Sequence, residues 1–251
     1  MDLELTDRVF IVTGGARGLG RATADALVAE GARVVLSGRS AESLEDARTA
    51  LGDAAATVVA DNADPATPSR LVAAATERWG RLDGALVSVG GPPKGAVTAI
   101  TDDQWTAAFE SVFLGAVRLG RELGRAVPHG GSLAFVLSSS VRAPLADMAI
   151  SNGLRPGLAM VAKTLADELG PDGVRVNGLL PGRVATDRVA ELDAAGGDAE
   201  AARTAAVASI PLRRYGEPEE FGRVAAFVLS PAASFVSGVM LPVDGGALRA
   251  L

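Results

Sequence analysis

Seven short, apolar, largely β-branched runs recur along the chain: Val9–Thr13, Arg33–Ser37, Thr57–Ala60, Gly84–Val89, Ser132–Ser138, Val174–Leu179 and Val239–Val243. None alternates apolar with polar positions. Near-continuous apolar runs are the pattern of parallel strands covered on both faces. Between them lie amphipathic helical segments: Leu19–Glu30, Ala41–Ala50, Pro65–Trp79, Asp102–Val127, Leu154–Leu169 and Glu217–Leu229. Regular β-α alternation, with no linker, composition break or internal repeat, predicts a single α/β domain over residues 1–251. Its core should be a doubly wound, seven-stranded parallel sheet flanked by helices. The rhythm lapses from about 185 to 210, where Ala-rich helical pieces surround Gly196–Gly197 without a strand. An insertion after a late strand lies near the carboxyl ends of the sheet, where ligands bind, so this interval reads as a small helical lid. An extra packing helix is the alternative.

Composition narrows the chemistry. The 251 residues are 48% hydrophobic but only 4% aromatic, so the core is built mainly of Ala, Val and Leu. A formal net charge of −6 shows no basic excess and argues against a nucleic-acid partner. Cysteine is absent, which excludes disulfides, thiolate catalysis and thiolate metal sites. The single histidine, His129, leaves no imidazole cluster for zinc and no Ser-His-Asp triad, so no metal is expected. The acidic segment MDLELTDRVF lacks a basic n-region with a long apolar run, and no stretch of about 18 uninterrupted apolar residues follows. The expectation is a soluble, cytoplasmic chain without a membrane partner.

The sharpest motif is Thr13-Gly14-Gly15-Ala16-Arg17-Gly18-Leu19-Gly20, between the first strand and the first helix. Gly14 allows a tight turn, Gly18 lets backbone approach a pyrophosphate, and Gly20 lets helix and strand pack closely. The helix then offers N–H groups at Gly18, Leu19 and Gly20, and its positive dipole end, to the phosphates. A site for an unphosphorylated adenosine ribose usually places an acid about 20 residues beyond the glycines. Here the second strand ends in Ser37-Gly38-Arg39, with no carboxylate. Arg39 and Arg17, with Ser37, would instead hold a 2′-phosphate through charge-assisted bonds, so the expected cofactor is NADP(H) over NAD(H). The alternative is two solvated arginines.

Further short motifs follow in order: Asp61-Asn62 after the third strand, Leu82-Asp83 before the fourth, Ser138-Ser139-Ser140 after the fifth, Val176-Asn177 leading to Pro181-Gly182-Arg183-Val184-Ala185-Thr186, and the closing Val243-Asp244-Gly245-Gly246. With the glycine turn, they make nearly the whole chain resemble the short-chain dehydrogenase/reductase family, nearest in general likeness to 3-oxoacyl-thioester reductases. The resemblance implies a Rossmann fold, hydride transfer between a nicotinamide and a carbonyl or alcohol carbon of a small-molecule substrate, and a homotetramer or homodimer. It also implies that Asp61 meets the adenine and Asn62 the adenosine side. Gly90 would lie by a ribose, and Pro181, Gly182 and Thr186 beside the nicotinamide.

The same resemblance exposes departures. The family's tyrosine stands thirteen residues after the catalytic serine, with a lysine four further on; counted from Ser138 those positions hold Ser151 and Arg155. The family's asparagine on the long helix falls on Val112, and the turn after the fourth strand reads Val87-Ser88-Val89-Gly90. Only the serine of four catalytic positions is unchanged. The single tyrosine, Tyr215, sits in a turn into a helix and reads as packing, while His129 reads as an exposed loop residue at the far end of strand five. Ser151 and Arg155 share a helix face if the helix reaches them, but Pro156 suits a helix only if it begins near Leu154 or has a distorted first turn. Three readings follow. One is an NADP(H)-dependent reductase in which Ser138, Ser151 and water relay the proton while Arg155, which also bonds ribose hydroxyls, stabilises the alkoxide. Another is a catalytically impaired cofactor-binding homologue serving as sensor or partner subunit. The third is a non-redox dehydratase or isomerase.

Overall fold

A computed structural model describes residues 1–195 and 197–250. Its strands are β1 (Val9–Thr13), β2 (Arg33–Gly38), β3 (Ala55–Val59), β4 (Gly84–Val87), β5 (Ser132–Val136), β6 (Arg175–Pro181) and β7 (Met240–Val243). All neighbours pair in parallel, in the order β3-β2-β1-β4-β5-β6-β7. The order reverses between β1 and β4, so the crevice outside their carboxyl ends is the topological switch point where such sheets bind ligands.

The helices are α1 (Gly18–Ala29), α2 (Ala41–Leu51), α3 (Thr67–Trp79), α4 (Asp102–Ala108), α5 (Gly115–Ala126), α6 (Ala149–Leu169), α7 (Asp187–Ala194), α8 (Ala199–Ser209) and α9 (Pro218–Leu229). On one side of the sheet, Leu71, Leu119, Leu123, Leu158 and Leu165 pack against Ile11, Val35 and Phe135. On the other, Leu27, Leu44, Phe221 and Val228 cover Phe10, Val34 and Leu36. This double coverage is why the strands carry no polar face.

Two expectations change, and a third holds. The segment Asp102–Val127 is not uniform: a π-turn over Phe109–Leu114 joins α4 to α5. A Cβ on Gly115 would lie 2.4 Å from the Asn62 carbonyl, so α5 presses directly on the loop after β3. Helix α6 begins at Ala149, five residues before Leu154, and Pro156 lies inside it. Proline there removes one N–H and costs about 3 kcal/mol. The cost is offset because the first turn is fixed from outside: the Asn152 side chain bonds both the N–H and the carbonyl of Leu145, and Ala149, Ile150 and Ser151 are buried. The lid interval is two helices, α7 and α8, capped by the Thr186 and Asp198 side chains. Gly196, from the glycine pair expected between them, lies outside the described residues.

Candidate functional site

The glycine turn lies at the switch point. Gly14 and Gly18 have φ of 60° and 56°, the left-handed region that side chains disfavour. A Cβ on Gly20 would stand 2.3 Å from the Gly14 carbonyl, so only glycine permits this turn. Arg17 is the α1 N-cap and supplies no side-chain acceptor, which leaves the first N–H groups at Gly18, Leu19 and Gly20 for a ligand. Thr13 fixes the turn to the next strand: its hydroxyl donates to the Ser88 carbonyl and accepts from the Ser88 N–H, both at 2.8 Å. The cradle thus fits a pyrophosphate.

At the end of β2, Arg39 is exposed, as is Arg17, so both guanidinium groups are free to reach a ligand at this rim. Ser37 is 1% exposed, at the end of β2 beside Thr13, and its carbonyl accepts from the Gly15 N–H, so its backbone shapes the turn. Asp61 is exposed and holds the Ala63 N–H, while the Asn62 amide leans towards the Ser88 carbonyl at 3.5 Å, too long for a strong bond. Gly90 is exposed on the same rim.

The segment after β6 and helix α7 border the other side. Pro181 ends β6; a Cβ on Gly182 would meet Asp244 at 2.6 Å, and one on Gly18 would lie 3.7 Å from the Thr186 side chain. Arg188, on the first turn of α7, donates to the Pro92 carbonyl at 2.8 Å and rests on Gly91. This strap was not visible in the sequence, since α7 and the loop after β4 are far apart along the chain. Helix α7 is held in place by Asp193, buried between Arg183 at 2.7 Å and the Tyr215 hydroxyl, which donates to it at 3.0 Å. Tyr215 is therefore a packing residue; burial first, and the Asp193 bond second, raise its pKa. His129 is exposed, at the end of the sheet away from the site.

The altered catalytic positions come together in an unexpected pairing. Ser151 is 3% exposed, and its Oγ lies 3.0 Å from the Oγ of Ser140, itself 4% exposed. The hydroxyl oxygen of Ser138, the expected partner, accepts from the Ser140 N–H at 3.1 Å. The 3-10 turn at Ser139–Val141 makes the difference: it swings the third serine of the run towards α6. One turn along α6, Arg155 is 5% exposed. Its Nη1 donates to the Val136 carbonyl at 2.6 Å and its Nη2 to the Gly90 carbonyl at 3.5 Å, while Nε has no partner. Burial lowers its pKa to about 10, so it remains charged at neutral pH. Val112, where the long helix would carry an asparagine, is buried and offers no polar atom.

Among the described residues no three His, Cys, Asp or Glu converge on a metal site, and no helix is long and apolar enough to cross a membrane.

Known proteins share this framework. The family model described as enoyl-(acyl carrier protein) reductase matches residues 14–247. An uncharacterized oxidoreductase of Mycobacterium tuberculosis is 36% identical, over 97% of this chain and 92% of its own. Levodione reductase of Leifsonia aquatica is 35% identical, over 97% and 95%. The crystal structure of L-sorbose reductase from Gluconobacter frateurii, complexed with NADPH and L-sorbose, superposes with a TM-score of 0.93 at 28% identity, covering 100% of both chains.

Proposed function

The chain belongs to the short-chain dehydrogenase/reductase family, and we propose that within it the protein is an NADP(H)-dependent oxidoreductase acting on a small carbonyl or alcohol. The observation that carries this reading is the uncapped N-terminus of α1 in its glycine cradle, flanked by two exposed arginines and no ribose-binding carboxylate. Reductases of levodione and of L-sorbose among its relatives, the latter complexed with NADPH, support the substrate type and the cofactor.

The nicotinamide, when bound, supplies or receives the hydride; the chain does the rest. The N–H groups of Gly18, Leu19 and Gly20 hold pyrophosphate, and Arg17 and Arg39 hold the 2′-phosphate. Asp61, Asn62 and Gly90 flank the adenosine and ribose, and Pro181, Gly182 and Thr186 the nicotinamide. The proton step falls to the Ser140–Ser151 hydroxyl pair with Arg155 beside it, in place of a serine-tyrosine-lysine set, and Ser138 positions Ser140. A serine hydroxyl titrates too high to act as a free acid near neutrality, so the pair passes a proton drawn from water while the guanidinium stabilises the developing oxyanion.

The enclosure of Ser140, Ser151 and Arg155 favours a second reading, a cofactor-binding homologue with impaired turnover that acts as a sensor or partner subunit. We also place the protein in a homotetramer or homodimer, joined through α4–α5 and α6, where Phe109, stacked on Phe113, and Met160 face solvent.

Fluorescence titration tests the cofactor. NADPH should bind roughly 10- to 100-fold more tightly than NADH, the worth of charge-assisted bonds to one phosphate. Arg39→Ala with Arg17→Ala should erase the difference. Tighter binding of NADH by the wild type would sink the reading, and saturable NADPH binding without turnover on ketones, quinones or 3-oxoacyl thioesters would select the second.

A further inference from the structure

Helices α3 and α5 lie side by side over the sheet and leave between them a groove of about 580 Å³, a volume that suits a small molecule. Pro68, Val72 and Ala73 of α3 and Ala126 of α5 give it apolar walls. The hydroxyls of Ser69 and Thr76, also in the wall, are engaged one turn back, donating to the carbonyls of Ala66 and Val72 at 2.9 Å. The groove occupies the flank of α5 that faces α3. The face proposed to join subunits lies on the α6 side, where a Cβ on Gly157 would stand 3.2 Å from Phe113.

The charges along the groove are unequally answered. Glu122 accepts from Arg121 at 2.7 Å and lies 3.7 Å from Arg125, so its carboxylate is met by its own helix. Arg118 is half-buried in the wall, and its Nη1 donates to the Ala63 carbonyl at 2.9 Å. Among the described residues it has no ion-pair partner. Nε and Nη2 remain, the edge of a guanidinium that takes a carboxylate through two parallel bonds. One unanswered cation matches a monoanion. A phosphate dianion would leave half its charge unmet against apolar walls.

Arg118 marks one end of the groove, beside the loop after β3, since Ala63 directly follows Asp61-Asn62. Eight residues of α5 separate it from Ala126, about 12 Å of helix and the reach of an extended chain of about eight to ten carbons. At the Arg118 end α5 also presses on the same loop, because a Cβ on Gly115 would lie 2.4 Å from the Asn62 carbonyl.

We propose that the α3–α5 groove is a second ligand site, taking a medium-chain carboxylate whose head pairs side-on with Nε and Nη2 of Arg118 and whose tail lies along Val72 and Ala73. Nη1 keeps its bond to Ala63, so an occupied groove stiffens the loop 61–63 and tightens cofactor binding. That coupling rests on the reading above in which Asp61 and Asn62 flank the adenosine. The site itself rests on the groove and Arg118 alone.

Calorimetric titration of the full-length protein with octanoate, octanamide and acetate tests the site. Octanoate should bind about tenfold or more tightly than the amide, the margin of a charge-assisted pair, and than acetate, which lacks the buried methylenes. Arg118→Gln should remove the preference over the amide. Ala73→Phe, which fills the groove and leaves Arg118 in place, should remove the preference over acetate. If Arg118→Gln fails to fold by circular dichroism, Ala73→Phe and the wild-type comparison still decide. No octanoate binding, equal binding of all three probes, or octanoate binding that survives both substitutions would overturn the site. NADPH should bind about fivefold more tightly to octanoate-saturated protein, and an equal affinity would overturn the coupling. Octanoate preference in a protein that does not bind NADPH would uphold the site and remove the cofactor reading instead.

Discussion

Ser140 and Ser138 differ by two positions in a run of three serines, yet only one reaches α6. Counting along the chain selects Ser138 because thirteen residues separate it from Ser151. The spatial answer depends on how the eleven-residue step from Ser140 to Ser151 is folded, and no residue type in that step announces the 3-10 turn. The glycines were easier: Gly14, Gly18 and Gly20 are each required by local backbone geometry, which sequence spacing expresses directly. Ser140 was missed because the direction a turn residue faces is set by the segments packed around it. If Ser151 passes the proton, Ser151→Ala should lower kcat by about 10²–10⁴ while leaving the NADPH dissociation constant unchanged. Steady-state assays paired with cofactor titration check this; an unchanged kcat removes the hydroxyl pair from the mechanism.

At the scale of elements, most helices were legible from their amphipathic period and all seven strands from short, near-continuous apolar runs. Boundaries failed where tertiary contacts override local preference. Pro156 argues for a late start to α6, but the loop at Leu145 grips Asn152 and the helix begins five residues early. Helix α9 shows the reverse, a terminus written in the sequence: Glu217 and Glu220 form a capping box behind Pro218. The Arg214 guanidinium, and then the Glu217 N–H, hold the Glu220 carboxyl down to about 2, below its ordinary 4.5. A depressed folded pKa means that the stabilisation is complete above about 4.5 and disappears as pH falls towards about 2. The stability advantage of the wild type over Glu220→Gln should therefore hold from neutrality to about pH 5 and shrink below it, as read by urea melts at stepped pH. A constant difference across that range would show that the pair does not act in solution.

For the whole molecule, the sheet order brings the glycine turn, the loop after β4 and helix α7 to one crevice. Thr13–Ser88 and Arg188–Pro92 tie these parts together, and Asp193 anchors α7 through Arg183 and Tyr215. A ligand that binds across such a crevice stabilises the folded state as a unit. NADPH at about 100 times its dissociation constant contributes about 2.7 kcal/mol, which for a chain of this size raises Tm by roughly 5–10 °C. Scanning calorimetry should show that rise in the wild type and none in Gly20→Val, whose side chain would collide with the Gly14 carbonyl. An equal rise in the variant would place the cofactor elsewhere.

The sequence by itself determined the parallel sheet, its flanking helices and the glycine turn, each from residue type and spacing. Through the family resemblance it also showed that the positions of the family's tyrosine and lysine hold Ser151 and Arg155. Only the tertiary structure decided which serine meets Ser151, that Arg188 straps α7 to Pro92, and that Arg155 is buried with its Nε unpartnered. Those facts depend on segments brought together across the sheet, where burial and the supply of hydrogen-bond partners set what each side chain can do.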